Sequence, residues 1–218
     1  MQSQVEPGII LRVSPHKESD AVLTILGKNQ GRFAAYARGV RKSSKRFSGG
    51  IDVFDSGDFE LEEAFRSGGM PSLVGIRSRT NYLGLRKNYE RFHIAAICLE
   101  LVLVISQEGD PASTRYYEPT QACLACLDSL ESRNELFLAG SLFIYRILQT
   151  TGVDPLLNAA GVGPETRKRW EAVIKQEGNL TLVASDYEQA FLELVNHAQN
   201  FIGKNLKSTR GLLQSQSE

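Results

Sequence analysis

Between Asp20 and Asp52 the chain carries no acidic residue and seven cations: Lys28, Arg32, Arg38, Arg41, Lys42, Lys45 and Arg46. Four of them fall in Arg41-Lys42-Ser43-Ser44-Lys45-Arg46, with Gly39 before the run and Gly49-Gly50 after it. The chemistry that suits such a segment is capture of a phosphate backbone. Lys and Arg displace condensed counterions, and serine hydroxyls and free amides donate to phosphate oxygens. Tyr36 and Phe47 flank the run and are candidate stacking faces for unpaired bases, the other half of a single-strand site. Phe33 reads better as core. Arg77 and Arg79 would extend the cationic track, within a cluster that also holds Arg86, Lys87 and Arg91. Lys204, Lys207 and Arg210 repeat every third residue after Gly203, a candidate helix stop. They suit a second phosphate stripe, or simply the negative end of the preceding helix. The bland reading of the basic run is a solvated loop opposite the acid-rich stretch 52–63. Arg167-Lys168-Arg169 reads as a solvated helix face.

Bond-breaking chemistry finds little support. Cys123 and Cys126 form a CxxC, but the context Gln121-Ala122-Cys123-Leu124-Ala125-Cys126-Leu127 is apolar and helical. A zinc site needs a second ligand pair at suitable spacing, and only Cys98 and the dispersed His16, His93 and His197 are left. The cysteines read as small packed hydrophobes. The Gly-Lys pairs at 27–28 and 203–204 are each followed by Asn, so neither is a P-loop. Neither G-x-S-x-G nor H-E-x-x-H occurs. Asp52, Asp55, Asp58, Glu60, Glu62 and Glu63 alternate along one strand-like stretch and fall mostly on its wet face. The expectation is a binding protein, not an enzyme, with no metal and no cofactor.

The whole chain restricts partners further. Its 218 residues include 25 Lys and Arg against 25 Asp and Glu, so a nucleic-acid footprint has to be local. Residues 1–80 hold 12 Lys and Arg against 9 Asp and Glu; the remainder holds 13 against 16. Three cysteines do not make a disulfide framework. The stretch 94–105 is apolar but short, and Glu100 interrupts it, whereas a bilayer needs roughly 20 apolar residues. Met1 to Pro7 lacks the basic start and apolar core of a leader. A soluble cytoplasmic protein with no membrane partner is expected.

The elements that must carry these residues change character near residue 80. Before it, short β-branched and alternating runs are separated by glycines: 5–13, 21–26, 32–37, a stretch spanning Val53 to Phe65, and 73–76. Lys28-Asn29-Gln30-Gly31 suits a hairpin turn. Five strands with no helix between them predict a small closed sheet of OB or SH3-like type. After residue 80 the apolar period becomes 3 to 4, as in Phe92, Ala96, Leu99 and so on. It predicts helices near 89–105, 120–130, 135–148, 164–176 and 186–200, the last capped by Ser185. The fold class is α+β and multi-domain, with a five-stranded OB-type β-barrel over 1–80 and an all-α domain over 81–218.

Some of these residues resemble a known family. Gly8-Ile9-Ile10-Leu11-Arg12, Glu18-Ser19-Asp20-Ala21-Val22-Leu23-Thr24-Ile25-Leu26, Ala37-Arg38-Gly39-Val40-Arg41 and Arg46-Phe47-Ser48-Gly49-Gly50 are similar to the opening of the bacterial recombination mediators of the RecO family. Tyr145-Arg146-Ile147-Leu148-Gln149-Thr150-Thr151-Gly152 resembles the end of that family's central helix, and Ile202-Gly203-Lys204-Asn205-Leu206-Lys207-Ser208 its C-terminal signature. The resemblance implies an OB domain followed by a helical domain, binding of single- and double-stranded DNA, and annealing of complementary strands. It also implies partnership with RecR, docking of the C-terminal tail of single-stranded-DNA-binding protein, and indirect help to RecA. The chain departs from the family in one place. Many members carry a four-cysteine zinc module after the central helix, and 153–175 here has no cysteine, so zinc is not expected. The competing readings are an OB or SH3-like module that binds an acidic protein tail, and an RNA-binding module.

Overall fold

The computed structural model describes residues 3–40, 47, 50–63, 69–157, 162–175 and 182–214. Five strands form a closed barrel: β1 (Ser3–His16), β2 (Asp20–Gly27), β3 (Gly31–Ala37), β4 (Ser56–Glu62) and β5 (Ser72–Thr80). Their spatial order is β1-β2-β3-β5-β4, and β4 returns to β1. All pairings are antiparallel except β3 with β5, which run parallel at Tyr36 and Ser72. This is the OB-type barrel that the strand pattern predicts.

Closure depends on β1 being long enough to serve two neighbours. Its first half pairs with β4, Ser3 against Glu62 through Ile9 against Ser56, while Gly8 onward pairs with β2 from Gly27 to Asp20. A register shift between Ile10 and Arg12 marks the bend that lets one strand turn from one partner to the other. Gly8 sits at the crossing. A Cβ there would lie 2.7 Å from Ile25 Cγ2 and 3.0 Å from the Phe59 ring. The barrel core is the inward set of the alternation, chiefly Ile10, Leu23, Ile25, Ala35, Phe59, Leu61 and Leu73. Each large aliphatic or aromatic member contributes about 1.5–3 kcal/mol by leaving water.

The fourth strand starts later than the sequence pattern suggests. Val53 and Phe54 belong to the turn before it, and Phe54 takes a left-handed conformation (φ 76°) that buries its ring. The Phe54 amide donates to Ile10 O, and the Ile10 amide donates to Asp55 O at 2.8 Å, so the turn is stitched to β1. Asp55 is fully buried, which corrects its placement on a wet face.

The chain divides into two units: Met1–Tyr82 with Ser106–Gln121, and Leu83–Ile105 with Ala122–Glu218. The expected boundary at 80/81 therefore misassigns 106–121. This segment contains a 3-10 helix, Pro111–Tyr116, capped by Asp110, whose Oδ1 accepts from the Ala112 amide at 2.9 Å. The Gly109 amide donates to Arg32 O at 2.9 Å. Gly31, at φ 72°, leaves only 2.5 Å between a would-be Cβ and Asp110 O. A proline-led turn has no apolar period, so nothing local in the sequence connects it to the barrel.

The second unit is built of α1 (Leu83–Lys87), α2 (Tyr89–Ile105), the later part of α3 (Tyr117–Ser129), α4 (Arg133–Thr150), α5 (Pro164–Lys175), α6 (Ala184–Ile202) and α7 (Thr209–Gln214). Its core holds Ile94, Leu101, Phe137, Ile144, Ile147, Trp170, Phe191 and Leu194. The start of α6 differs from expectation. Val183 is the capping residue, and Asp186 supplies the side chain, its Oδ2 accepting from the Val183 amide at 2.9 Å. Ser185 lies within the first turn. Gly203 ends α6 in the left-handed conformation, as its position predicts. Among the described residues no helix is long and apolar enough to cross a membrane.

Candidate nucleic-acid interface

At one end of the barrel the turn from β1 to β2 lies beside the end of β3, because His16 pairs with Asp20 and Ala21 with Ala37. Asp20 organises this end. Its carboxylate accepts from the Tyr36 hydroxyl, from the Gly39 amide at 2.8 Å and from the Ser19 hydroxyl at 3.2 Å. The Tyr36 hydroxyl and the Gly39 amide hold its carboxyl below the usual carboxylate range. The same hydrogen bond pushes the Tyr36 phenol up. Tyr36 is half-buried and meets the His16 ring edge to face at 5.7 Å, so its orientation is set from two sides.

Gly39, at φ 66°, turns the chain out of β3. Val40 and Phe47 then both enter the barrel core, at 6% and 3% exposure. The Gly50 amide donates back to Phe47 O at 2.9 Å. Arg41, Lys42, Lys45 and Arg46 stand between these two anchors and lie outside the described residues. Phe47 has no free face and is not a stacking platform; a residue flanked by Arg46 and Ser48 looks like an exposed aromatic until the barrel is closed around it. Arg38, Lys17 and His16 are exposed at this end, and Lys17 and His16 were not among the sequence candidates. The single lysine at 17 is followed by Glu18, so charge counting passes over it.

Several predicted cations are committed elsewhere. The Arg79 guanidinium donates to the buried Asp55 carboxylate at 2.6 Å, with the two side chains 17% and 1% exposed. Asp55 also accepts from the Asp52 amide at 2.8 Å. Arg79 is thus the counter-ion of a buried carboxylate, which corrects its place in the phosphate track. Arg77 is exposed but pairs with Glu60 on the neighbouring strand, so its charge is locally balanced. Arg32 is half-buried, and its carbonyl holds Gly109. The β2–β3 turn is fixed by the buried Glu6 carboxylate, which accepts from the Asn29 amide at 2.6 Å and the Gln30 amide at 3.2 Å. Lys28, at the turn, pairs with Glu118 at 2.7 Å and lies over the Tyr117 ring.

In the second unit Lys204, Lys207 and Arg210 are all exposed. The segment bearing them doubles back along α2. The Glu100 carboxylate accepts from the Lys207 and Ser208 amides at 2.9 and 2.8 Å, and the Tyr89 hydroxyl donates to Gly211 O at 2.9 Å. Leu206 and Leu212 are buried. Arg210 therefore stands next to a residue bonded to Tyr89, itself 52% exposed, with Phe92 (40% exposed) one turn on and Arg86 and Lys87 exposed on α1. Arg91 is buried, donating to Asp128 O, and Arg169 bridges α5 to α6 through Glu193 at 2.6 Å. Cys98 and Cys123 are buried against each other, and that contact pushes the Cys123 thiol up; Cys126 is exposed. Among the described residues no group of three or more His, Cys, Asp or Glu side chains is arranged to hold a metal ion.

The family model described as "Recombination protein O N terminal" matches residues 1–79. Similar curated proteins bear the name DNA repair protein RecO. That of Syntrophobacter fumaroxidans is 29% identical over 162 residues, 74% of this chain and 62% of the relative. That of Alkaliphilus metalliredigens is 25% identical over 172 residues, 78% of the chain and 68% of the relative. That of Anaeromyxobacter sp. strain K is 31% identical over 155 residues, 70% of the chain and 58% of the relative. The matched region thus spans 58% to 68% of the length of these three relatives.

Proposed function

We propose that the chain, whose residues 1–79 match the N-terminal family model of the RecO proteins, is a DNA repair and recombination mediator of that type and binds DNA at the Asp20 end of its barrel. The observation that supports this reading is what flanks the acid-free run of Lys and Arg: before it Gly39 donates to Asp20 and Val40 enters the barrel core, and after it Phe47 enters the same core. The binding set is Arg38, Arg41, Lys42, Lys45 and Arg46, with Tyr36 as the aromatic at its edge. Lys204, Lys207 and Arg210, beside Tyr89 and Phe92, form a second cationic and aromatic patch on the helical unit.

The mechanism requires no covalent step. Single and double strands bind through phosphate, so affinity is insensitive to sequence and sensitive to salt. Two complementary strands coated by such cations lose much of their mutual repulsion, and mobile contacts let bases find register. Annealing follows from screening alone. In the cell, RecR and the tail of single-stranded-DNA-binding protein are the proposed partners, RecA the indirect beneficiary, and the cytoplasmic nucleoid the place of action. The test is fluorescence-monitored annealing of complementary oligonucleotides, with and without single-stranded-DNA-binding protein. Acceleration that disappears in Arg41→Glu/Lys42→Glu supports the reading; annealing indifferent to that change refutes it. Competition between RNA and DNA of one sequence separates this function from an RNA-binding one.

A further inference from the structure

Asp20 runs against the charge of its surroundings. It accepts from the amide of Gly39, next to exposed Arg38, where the acid-free basic run begins. The Tyr36 hydroxyl and the Gly39 amide lower its pKa, so the carboxyl is ionised at neutral pH. On charge alone it repels the phosphates that the run attracts. Asp20 itself is only 8% exposed, and its carboxylate is turned to donors from Ser19, Tyr36 and Gly39. What a DNA strand meets at this end is therefore less the carboxylate than the groups it holds.

The register of the barrel shows which of those groups faces out. Ala35 and Leu23 face the core, so Tyr36 and its cross-strand partner Val22 face outward, with Ser14 beyond Val22 on β1. Along the chain the neighbours of Tyr36 on that side are Ala34 and Arg38, and Ser72 pairs with it on β5. Arg38 apart, these side chains are short, and the phenol ring, partly exposed, rises above them. Two contacts fix the ring. Its hydroxyl donates to Asp20, and the ring of His16, the last residue of β1, meets it edge to face at 5.7 Å. An aromatic fixed in this way stacks on a base without first losing its own rotational freedom. In a duplex the bases are stacked on one another, so the partner of such a face is an unpaired base.

We propose that Asp20 is a positioning residue: by holding the Tyr36 hydroxyl it presents that ring to an unpaired base, and so gives the phosphate-binding end a preference for single strands. The proposal rests on the DNA-binding reading of the same end of the barrel and adds to it the group that distinguishes one strand from two.

The sign of the effect makes it testable, because removing an acid from a phosphate site strengthens binding unless the acid holds something the strand needs. The full chain is titrated by fluorescence anisotropy with a short single strand, a fully abasic strand of the same length and a duplex. Asp20→Ala is expected to weaken the intact single strand about tenfold, the loss of roughly one stacked base, and to tighten the abasic strand and the duplex, which meet only the lost charge. Tyr36→Phe, which keeps the ring and breaks the same tether from the other end, weakens the intact strand as well, and the double variant is no weaker than the singles. Asp20→Asn keeps the preference for the intact strand, since an amide can still bond to both Tyr36 and Gly39. An intact strand held as tightly by Asp20→Ala and Tyr36→Phe as by the parent overturns the proposal. So does a loss shared equally by all three ligands, the mark of a purely structural role. Circular dichroism reports whether Asp20→Ala is folded; where it is not, Tyr36→Phe decides alone, with the bond from Gly39 to Asp20 left in place. Binding that is lost in Arg41→Glu/Lys42→Glu but indifferent to Asp20→Ala and Tyr36→Phe removes this proposal and leaves the DNA-binding reading standing. A parent protein that binds none of the three ligands at low salt removes both.

Discussion

Replacing Arg79 by alanine distinguishes a structural cation from a DNA contact. The guanidinium faces a carboxylate that is 1% exposed and that also accepts from the Asp52 amide. Deleting the arginine leaves Asp55 charged and desolvated, a loss of about 3–5 kcal/mol for a buried pair broken on one side. In a unit of this size each kcal/mol moves the midpoint by about 4–8 °C, so the barrel transition should fall by on the order of 10 °C or more. Circular dichroism melting at neutral pH measures it. Asp55→Asn combined with Arg79→Leu should restore much of the loss, because a neutral amide keeps the Asp52 hydrogen bond without an unpaired charge. Meanwhile the dependence of log K for single-stranded DNA on log salt should stay as in the parent protein, measured below the lowered midpoint. Were Arg79 a phosphate contact, the slope would shrink by about 0.7. A variant with the parent's melting temperature and a reduced slope would refute the assignment.

The remaining expectations concern the cationic end and its supports. With five phosphates held by Arg38, Arg41, Lys42, Lys45 and Arg46, the salt slope on single strands is about −3.5, and Arg41→Glu/Lys42→Glu flattens it toward −2 or less; fluorescence anisotropy at several salt concentrations reads both. Asp20 has a folded pKa below its unfolded value of about 3.9. Its contribution is present above that pH and is lost as pH falls through the folded pKa, so urea midpoints of Asp20→Asn should vary less than the parent's below about pH 4. Gly31→Ala and Gly109→Ala both put alanine at positive φ, 72° and 76°, but only position 31 lacks room for the methyl group. Gly109→Ala should cost about 1–2 kcal/mol, and Gly31→Ala clearly more, by chemical denaturation.

Much of the barrel was legible because alternation and glycine placement are local signals. Ile10, Leu23, Ile25, Phe59 and Leu61 face inward as their spacing requires, and Gly31 supplies the left-handed turn residue. Charge roles were less legible. Arg77 and Arg79 have the same sequence appearance as Arg38, yet two acids brought from β4 and the preceding turn decide that both are paired. Phe47 shows the same limit for aromatics: its neighbours are polar, and only tertiary closure buries it. At α6 the capping side chain is Asp186 reaching back to Val183, so a search for Ser or Thr ahead of the helix picks the wrong residue.

The barrel's use of residues 106–121 has a consequence for how the protein is made. A ribosome delivers the five strands first, then α1 and α2, and only afterwards the proline-led turn that lies over Gly31 and receives Lys28 on Glu118. The nascent strands therefore wait, with Gly31 uncovered and Lys28 without Glu118, until part of the helical unit has already left the exit tunnel. Folding during synthesis is interleaved and not sequential, and a fragment ending at the last strand should be recovered mainly in the insoluble fraction, whereas one extended through Gln121 should not.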